Sequence, residues 1–418
     1  MNEIQDNHYD IEALVKGYKD GYSLEQPFYL DQGIFDADFE RVVEPMWLFV
    51  DHVSRIPNIG DYFLYEIGGE SIIVVRGRDG EIRAFYNVCR HRGSRICSKK
   101  QGNAKLLMCP YHAWTFDLDG TLKAARTMPE GFDPGEWGLH SCHVRMCEGL
   151  IFLNLSRNDP PDFDAFIEPL LPCLELHDLG NAKIAHSGSY PTDANWKLVV
   201  ENFFECYHCQ PSHPEYCQVH PKDYVLARGG GKGSGPDGAE EAYQPKLDAF
   251  NARAAALGHT VEGSSEGVGS LHFSGSDRTG IQEGWLSETE DGTPAAPLMG
   301  KFNDWDGGYT GVSFNPLSTL LMTTDFATAF RFSPIDATHT DVEIIWMVRA
   351  DAEEGKDYDK EKMIWLWDVT TIADKRIIED NHAGVTSRRY QPGPYSDHER
   401  GTQALIHWYL NRLQGLAE

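Results

Sequence analysis

Cys89-Arg90-His91 and Cys109-Pro110-Tyr111-His112 each place one cysteine and one histidine in a short motif, and seventeen residues separate the two motifs. A chain built this way must carry both motifs on adjacent loops if the four donors are to meet at one point. Two thiolates suit one iron of a [2Fe-2S] unit and two imidazoles suit the other, which gives unequal irons and a reduction potential in the range of about −150 to +300 mV. Tetrahedral zinc also accepts two cysteines and two histidines. Zinc fingers of that composition, however, pair cysteine with cysteine and histidine with histidine, whereas here each loop supplies one of each. The flanks read as short strands: 62–67, 71–76, 82–88, 115–117 and 149–155 are rich in β-formers. Asp79-Gly80 and Asp119-Gly120 stand between such runs as hairpin turns. The stretch from residue 47 to about 155 therefore predicts a small all-β domain.

The remainder of the 418 residues needs a second core. Helical spacing runs over 163–176, 194–207 and 358–381, and a last helix is expected over 398–413. Residues 319–332 and 339–349 read as strands with 333–336 as the turn between them, so the second domain is mixed α+β. Residues 228–241 and 263–269 are glycine-rich and polar, and they predict loops that could act as lids.

Charge narrows the partners. With 37 basic against 64 acidic residues, the formal charge of −27 repels nucleic acid and anionic membrane surfaces. The chain has no apolar run long enough for a membrane span, and its first ten residues, polar and acidic, lack a signal pattern, which leads us to expect a cytoplasmic protein. Nine cysteines, an odd number, favour reduced thiols and metal ligands over a disulfide framework.

A second donor set lies at His208 and His213. Two imidazoles and one carboxylate on one face of Fe(II) leave positions open for dioxygen and substrate. Five residues of unbroken helix turn through about 140°, so both histidines reach one metal only where the helix bends or ends, and Pro211 supplies a break. Glu205 lies three residues before His208 and shares its helical face.

The Cys-Pro-Tyr-His-Ala-Trp wording of residues 109–114, followed about a hundred residues later by the histidine pair, resembles the Rieske non-haem iron oxygenases. The resemblance implies an N-terminal segment over 1–44 packed on the catalytic domain, a Rieske domain over 45–160, and a helix-grip catalytic domain over 161–418 with flexible glycine-rich loops near 228–300. It implies one [2Fe-2S] cluster on Cys89, His91, Cys109 and His112. The respiratory branch has a further cysteine beside each pair; Ser94 and Tyr111 stand there, so no disulfide is expected near the cluster. One mononuclear Fe(II) would sit on His208, His213 and Asp374, although the family's usual Glu before that Asp is Ala373, and Asp368 and Asp380 are the alternatives. Glu205 would bridge His208 to a cluster histidine of the neighbouring subunit in a homotrimer. With no Gly-x-Gly-x-x-Gly after a strand, electrons would come from a separate NAD(P)H-dependent reductase.

The Glu-Cys-Tyr-His wording at 205–208, with residues 354–359 and 390–396, resembles the branch that oxidises quaternary ammonium compounds, such as glycine betaine, stachydrine and carnitine. Hydroxylation of an N-methyl carbon followed by loss of formaldehyde is the implied reaction. A quaternary ammonium group is held by aromatic faces, for which Phe203, Phe204, Tyr207, Trp305 and Tyr309 are candidates, with Phe302 and Phe314 nearby. An aromatic or other small organic acid is the alternative substrate and would call on a buried arginine, Arg331 or Arg349. A non-catalytic electron carrier or a zinc-binding protein is the remote alternative.

Overall fold

The structure, a computed structural model, describes residues 9–229 and 232–415. Gly230 and Gly231 of the first glycine-rich stretch and residues 1–8 of the N-terminal segment lie outside the described residues. The first part of the chain forms α1 (Ile11–Gly17), α2 (Pro27–Leu30) and α3 (Gln32–Asp38). Ten strands follow: β1 (Leu48–His52), β2 (Asp61–Ile67), β3 (Glu70–Arg76), β4 (Ile82–Tyr86), β5 (Gln101–Asn103), β6 (Leu107–Met108), β7 (Thr115–Phe116), β8 (Leu122–Ala124), β9 (His143–Cys147) and β10 (Leu150–Asn154). They make three small antiparallel sheets, ordered β1-β10-β9, β4-β3-β2-β5 and β6-β7-β8. Gly80 and Gly120 take the left-handed backbone in the turns read from the sequence. At Gly120 a side chain would also strike the Phe85 ring, 2.5 Å from an ideal Cβ.

After α4 (Phe163–Ile167) and α5 (Leu171–His177) the second domain begins with β11 (Ala182–Thr192). Pro169 and Pro172 account for the division of the single helix expected over 163–176, since neither can donate to the preceding turn. A cluster of helices comes next: α6 (Trp196–Phe203), α7 (Cys209–Ser212), α8 (Pro214–Val219), α9 (Lys222–Arg228) and α10 (Ala239–Leu257). Then come β12 (Ser264–Ser265), β13 (Gly275–Gly280), β14 (Gly308–Asn315), β15 (Ser318–Met322), β16 (Ala327–Asp336), β17 (His339–Arg349), α11 (Lys360–Val385) and α12 (Arg400–Leu413). The strands form one antiparallel sheet in the order β11-β17-β16-β15-β14-β13-β12. Both faces are covered, with the period of two that strands impose. Phe330, Phe332, Ile344 and Trp346 pack beneath the helices, while Ala327, Ala329, Ile345 and Met347 pack with Phe152, Phe163 and Leu170 on the other side.

Three expectations are corrected here. The run 319–332 is a hairpin rather than one strand. Its turn at Thr323 to Phe326 is buried, and Asp325 accepts hydrogen bonds there from Thr323, Ser287 and the Ala295 amide. The expected turn at 333–336 lies inside β16 as a bulge, with Ala337-Thr338 as the actual turn. The stretch taken as loops near 228–300 contains the nineteen residues of α10, whose alanine-rich composition favours helix despite Pro245.

The N-terminal helices pack on the last elements of the chain rather than on the β domain that follows them. Tyr22 bridges Pro394, and Arg41 donates to the Leu413 carbonyl at 3.0 Å. Fully buried Asp38 accepts from Tyr409 at 2.7 Å and from Trp196 at 3.2 Å, and it pairs with buried Lys197. Removing one partner of such a pair strands a charge in the core. Asp38→Ala is therefore expected to lower unfolding stability by about 3–5 kcal/mol, measured by denaturant titration. A loss within the noise of a surface substitution would show that the pair does not tie the N-terminal arm to the core.

Candidate metal centres and cavity

Each cluster motif leaves a strand and closes into the same kind of loop. After β4, the Cys89 amide donates to the Ser94 carbonyl at 2.9 Å and Gly93 donates back to Cys89; after β6, the Cys109 amide donates to Trp114 at 2.8 Å and Ala113 donates back to Cys109. Gly93 and Ala113 both take positive φ, so the two loops repeat one backbone shape. Asn87 fixes the first loop by accepting from the Ile96 and Cys97 amides. Cys89 and Cys109 are buried, His91 and His112 are exposed, and the two Nδ1 atoms face each other at 3.1 Å. The His91 ring stacks on Trp114 and the His112 ring on Tyr111. Inward sulfurs and outward imidazoles fit a cluster whose histidine-bound iron lies at the surface. No disulfide lies near this loop pair among the described residues.

The second donor set begins where α6 ends. Asn195 caps its start by accepting from the Lys197 amide. The helix runs out at Phe203, and Glu205 and Cys206 belong to no helix before the single turn of α7. His208 and His213 flank that turn. Pro211 lies inside it, so the break comes one step later than expected. His213 takes an extended φ of −148° directly before Pro214, which disfavours helical backbone in the residue that precedes it.

Asp374 reaches this turn from the middle of α11. Its Oδ1 stands 3.0 Å from His213 Nε2 and 3.2 Å from His208 Nε2, so three donors converge on one point. Asp368 instead accepts from Tyr190, and Asp380 is exposed. Glu205 accepts from His208 Nδ1 at 2.5 Å and from the His208 amide, which orients the ring with Nε2 toward Asp374. Burial opposes a charge on His208, but Asp374 and Glu205 outweigh it and hold the imidazolium up to about 10. Asp374 is held below the usual carboxylate range in turn, burial notwithstanding. Two imidazoles and a carboxylate converging on one point form a donor set suited to a divalent iron.

Sequence reasoning missed two neighbours of this site. Asn202 places Nδ2 3.3 Å from His208 Nε2. Cys206 and Cys209 form a disulfide, with Cα atoms 5.0 Å apart across the turn, against the expectation of reduced thiols throughout. The Cys-x-x-Cys spacing was the available signal, and overlap with the histidine motif masked it. Cys209 also lies beside both imidazoles, but its sulfur is committed to Cys206.

A cavity of about 580 Å³ opens onto His208, His213 and Asp374. Phe203, Phe204 and Tyr309 line it, with Tyr216, Tyr224, Phe330 and Trp367. Trp367 is held by buried Glu288, which also accepts from His220. Arg228, Glu266 and Asp277 supply polar groups. Tyr207 and Trp305 are not in the wall. Tyr207 follows the end of α6, so its ring turns outward and stacks on His398. Trp305 stays on the loop before β14, where its neighbour Asp306 takes the inward place against Arg278 and His259. Phe302 packs on His177 and His259, and Phe314 lies in the core with Phe49 and Phe152. Arg331 is spent on Glu343 and Arg349 on Asp351, so neither serves the cavity.

Residues 179–415 match the family described as ring hydroxylating alpha subunit (catalytic domain), and residues 46–142 match the Rieske [2Fe-2S] domain. The glycine betaine monooxygenase oxygenase subunit of Pseudomonas aeruginosa is 36% identical over 409 residues, covering 96% of this chain and 91% of that protein. Its counterpart in Chromohalobacter salexigens is 38% identical, covering 96% and 88%. The carnitine monooxygenase oxygenase subunit of Escherichia coli is 39% identical over 47% of this chain and 54% of that protein. Among solved structures, the quaternary ammonium Rieske monooxygenase CntA with L-carnitine superposes with a TM-score of 0.66 at 22% identity, covering 95% and 98% of the two chains. Naphthalene 1,2-dioxygenase from Rhodococcus superposes at 0.64 and 19%, covering 98% of each. At these identities the structural matches are matches of fold.

The two centres use separate residues. Asp374→Ala is expected to abolish iron binding at the second centre while leaving the visible and paramagnetic signature of the cluster unchanged; iron counting with spectroscopy reads both. Cys109→Ser should bleach the protein, since cluster binding adds to the folding free energy of the β domain. A coloured Cys109→Ser protein, or full iron loading in Asp374→Ala, would remove these assignments.

Proposed function

We infer that this chain, which belongs to the ring-hydroxylating alpha-subunit family of Rieske oxygenases, oxidises an N-methyl group of a betaine-like quaternary ammonium compound. As the oxygenase subunit of a multi-component system it draws electrons from a reductase. The reading is carried by one observation: a cavity walled by Phe203, Tyr216, Tyr309, Phe330 and Trp367 opens onto the His208–His213–Asp374 face. The near-full-length similarity to glycine betaine monooxygenase oxygenase subunits supports it.

A quaternary ammonium group offers no hydrogen-bond donor, so the aromatic faces provide its recognition. Arg228 lines the same cavity but is paired with Glu240 at 2.9 Å and lies 3.6 Å from Asp277. His208, His213 and Asp374 hold the mononuclear iron, while Cys89, His91, Cys109 and His112 hold the cluster. When loaded, the pair of centres supplies reductive activation of dioxygen and insertion of oxygen into a C–H bond. The hydroxylated N-methyl carbon is a hemiaminal, which loses formaldehyde to leave the demethylated amine. With reductase, NAD(P)H and a betaine or carnitine, formaldehyde is expected in step with oxygen uptake. Oxygen uptake and hydroxylated product with aromatic acids alone would overturn the substrate reading.

Within one chain the cluster histidines lie at the surface and the iron histidines lie inside. A homotrimer with head-to-tail contacts would bring one chain's cluster to its neighbour's iron and leave no docking face unused. Glu205, already bound to His208, then accepts from His112 of the next subunit. Glu205→Gln keeps the shape and removes the charge, so both metals should stay bound while electron transfer in a single turnover slows by about a hundredfold or more. Stopped-flow reoxidation of the cluster checks this, and an unchanged rate removes Glu205 from the path.

A further inference from the structure

The 390–396 segment, distinctive in the sequence and unused by the site so far, builds a second cavity. This space, about 340 Å³, lies against the end of α6 and is lined by Tyr29, Glu201, Asn381, Tyr390, Tyr395 and Glu399, among others. It shares Asn202, Glu205 and His208 with the substrate cavity, so the two spaces meet at one iron histidine. Gly393, Pro394 and Asn381 in its lining are exposed, which places its opening at the surface.

Glu201 has a densely packed carboxylate whose accessible part lines this second cavity. It accepts from the Tyr29 hydroxyl at 2.9 Å and from the Tyr395 hydroxyl at 3.3 Å. Lys197, one turn earlier, is the nearest cation, and it is committed to Asp38. Tyr18, just past α1, and Tyr409 of α12 face Glu201, and Tyr390 and Glu399 face it from the C-terminal segment. Burial lifts the carboxyl to about 7, with Tyr29, Lys197 and Tyr395 opposing and Glu399 adding to the rise. Such a group gains and loses a proton near neutrality, where a general acid is most effective.

The oxygenase reaction requires protons as well as electrons. Hydroxylation of one C–H bond consumes one dioxygen, two electrons from the reductase and two protons; one oxygen atom enters the C–OH group and the other leaves as water. The second cavity is an approach to His208 separate from the aromatic cavity that receives the substrate. We propose that the second cavity is the proton entry of the active site, with Glu201 passing protons from solvent toward Asn202 and Glu205 beside His208. In each transfer the Glu201 O–H bond breaks toward cavity water on the His208 side, and the carboxylate takes a replacement proton from water at the Gly393–Pro394 opening. This role rests on the oxygenase reading but not on the identity of the substrate.

Glu201→Gln in the complete, iron-loaded enzyme tests it. The amide keeps the shape and one acceptor oxygen for the tyrosine hydroxyls, and it cannot deliver a proton. Iron content, cluster reduction and substrate affinity should match the parent, product formation in a single turnover should slow by about a hundredfold, and the solvent deuterium isotope effect should rise. Glu201→Asp should recover most of the rate. Infrared titration of the metal-free protein gives a readout apart from turnover: a carboxyl band that titrates near neutrality and vanishes in Glu201→Gln. Should Glu201→Gln fail to fold, Tyr395→Phe serves, because loss of one donor should move that titration to higher pH. Parental single-turnover rate and isotope effect in Glu201→Gln, equal slowing in Glu201→Asp, or an unshifted band in Tyr395→Phe would each overturn the proposal. A protein that takes up neither iron nor oxygen would overturn the oxygenase reading instead.

Discussion

Everything at the catalytic end of the molecule depends on the packing of α11 against the broken helix α6–α8. That contact sets one carboxylate, Asp374, between two imidazoles that a continuous helix would point in different directions. The carboxylate accepts from both imidazoles at one point, so each of the three groups holds the other two in place. The packing is held at several heights along α11. Asp368 accepts from Tyr190 of the sheet edge, Trp367 donates to buried Glu288, and Glu379 accepts from the Asp193 amide ahead of α6. A helix fixed at that many points cannot slide by a residue, so the carboxylate stays in register with the histidines.

The two cavities meet at His208. Phe203, Tyr216, Tyr309, Phe330 and Trp367 stand in the wall beside Asp374 together with Arg228, Glu266 and Asp277, while Tyr29, Tyr395, Glu201, Glu399 and Asn381 stand in the space beyond Glu205. Asn202 and Glu205 stand in both. Their side chains are thus the partition between the two spaces, at the point where the chain has left the helix.

Much of this was legible in the sequence wherever donor chemistry dictates spacing. The cluster loops follow from what a metal requires of its ligands, whereas the histidine pair takes its weight, and Asp374 its choice over Asp368 and Asp380, from the family resemblance; the structure brings His208, His213 and Asp374 together. Backbone detail was less legible. Pro211 looked like the break, yet a proline is tolerated inside the first turn of a helix, and Pro214 acts on His213 instead. The β15–β16 turn escaped notice because its residues are buried and satisfied by Asp325, so it lacks the glycine or proline that marks an exposed turn. Tyr207 and Trp305 were plausible wall residues by proximity in sequence, but the side on which a ring emerges after a helix end is decided by backbone angles that composition does not encode.

The attachment of the N-terminal arm has a consequence for how the protein is made. Asp38 finds its partners in Lys197 and Tyr409, and Tyr22 in Pro394, so the arm must wait for nearly the whole chain to leave the ribosome before it can dock. The strands around Cys89 and Cys109 pair with near neighbours in sequence and face no such delay. Local pairing closes early and long loops close late. The small β domain can therefore fold, and be fitted with its cluster, while the catalytic half is still being translated, with the unpaired arm the last piece to settle.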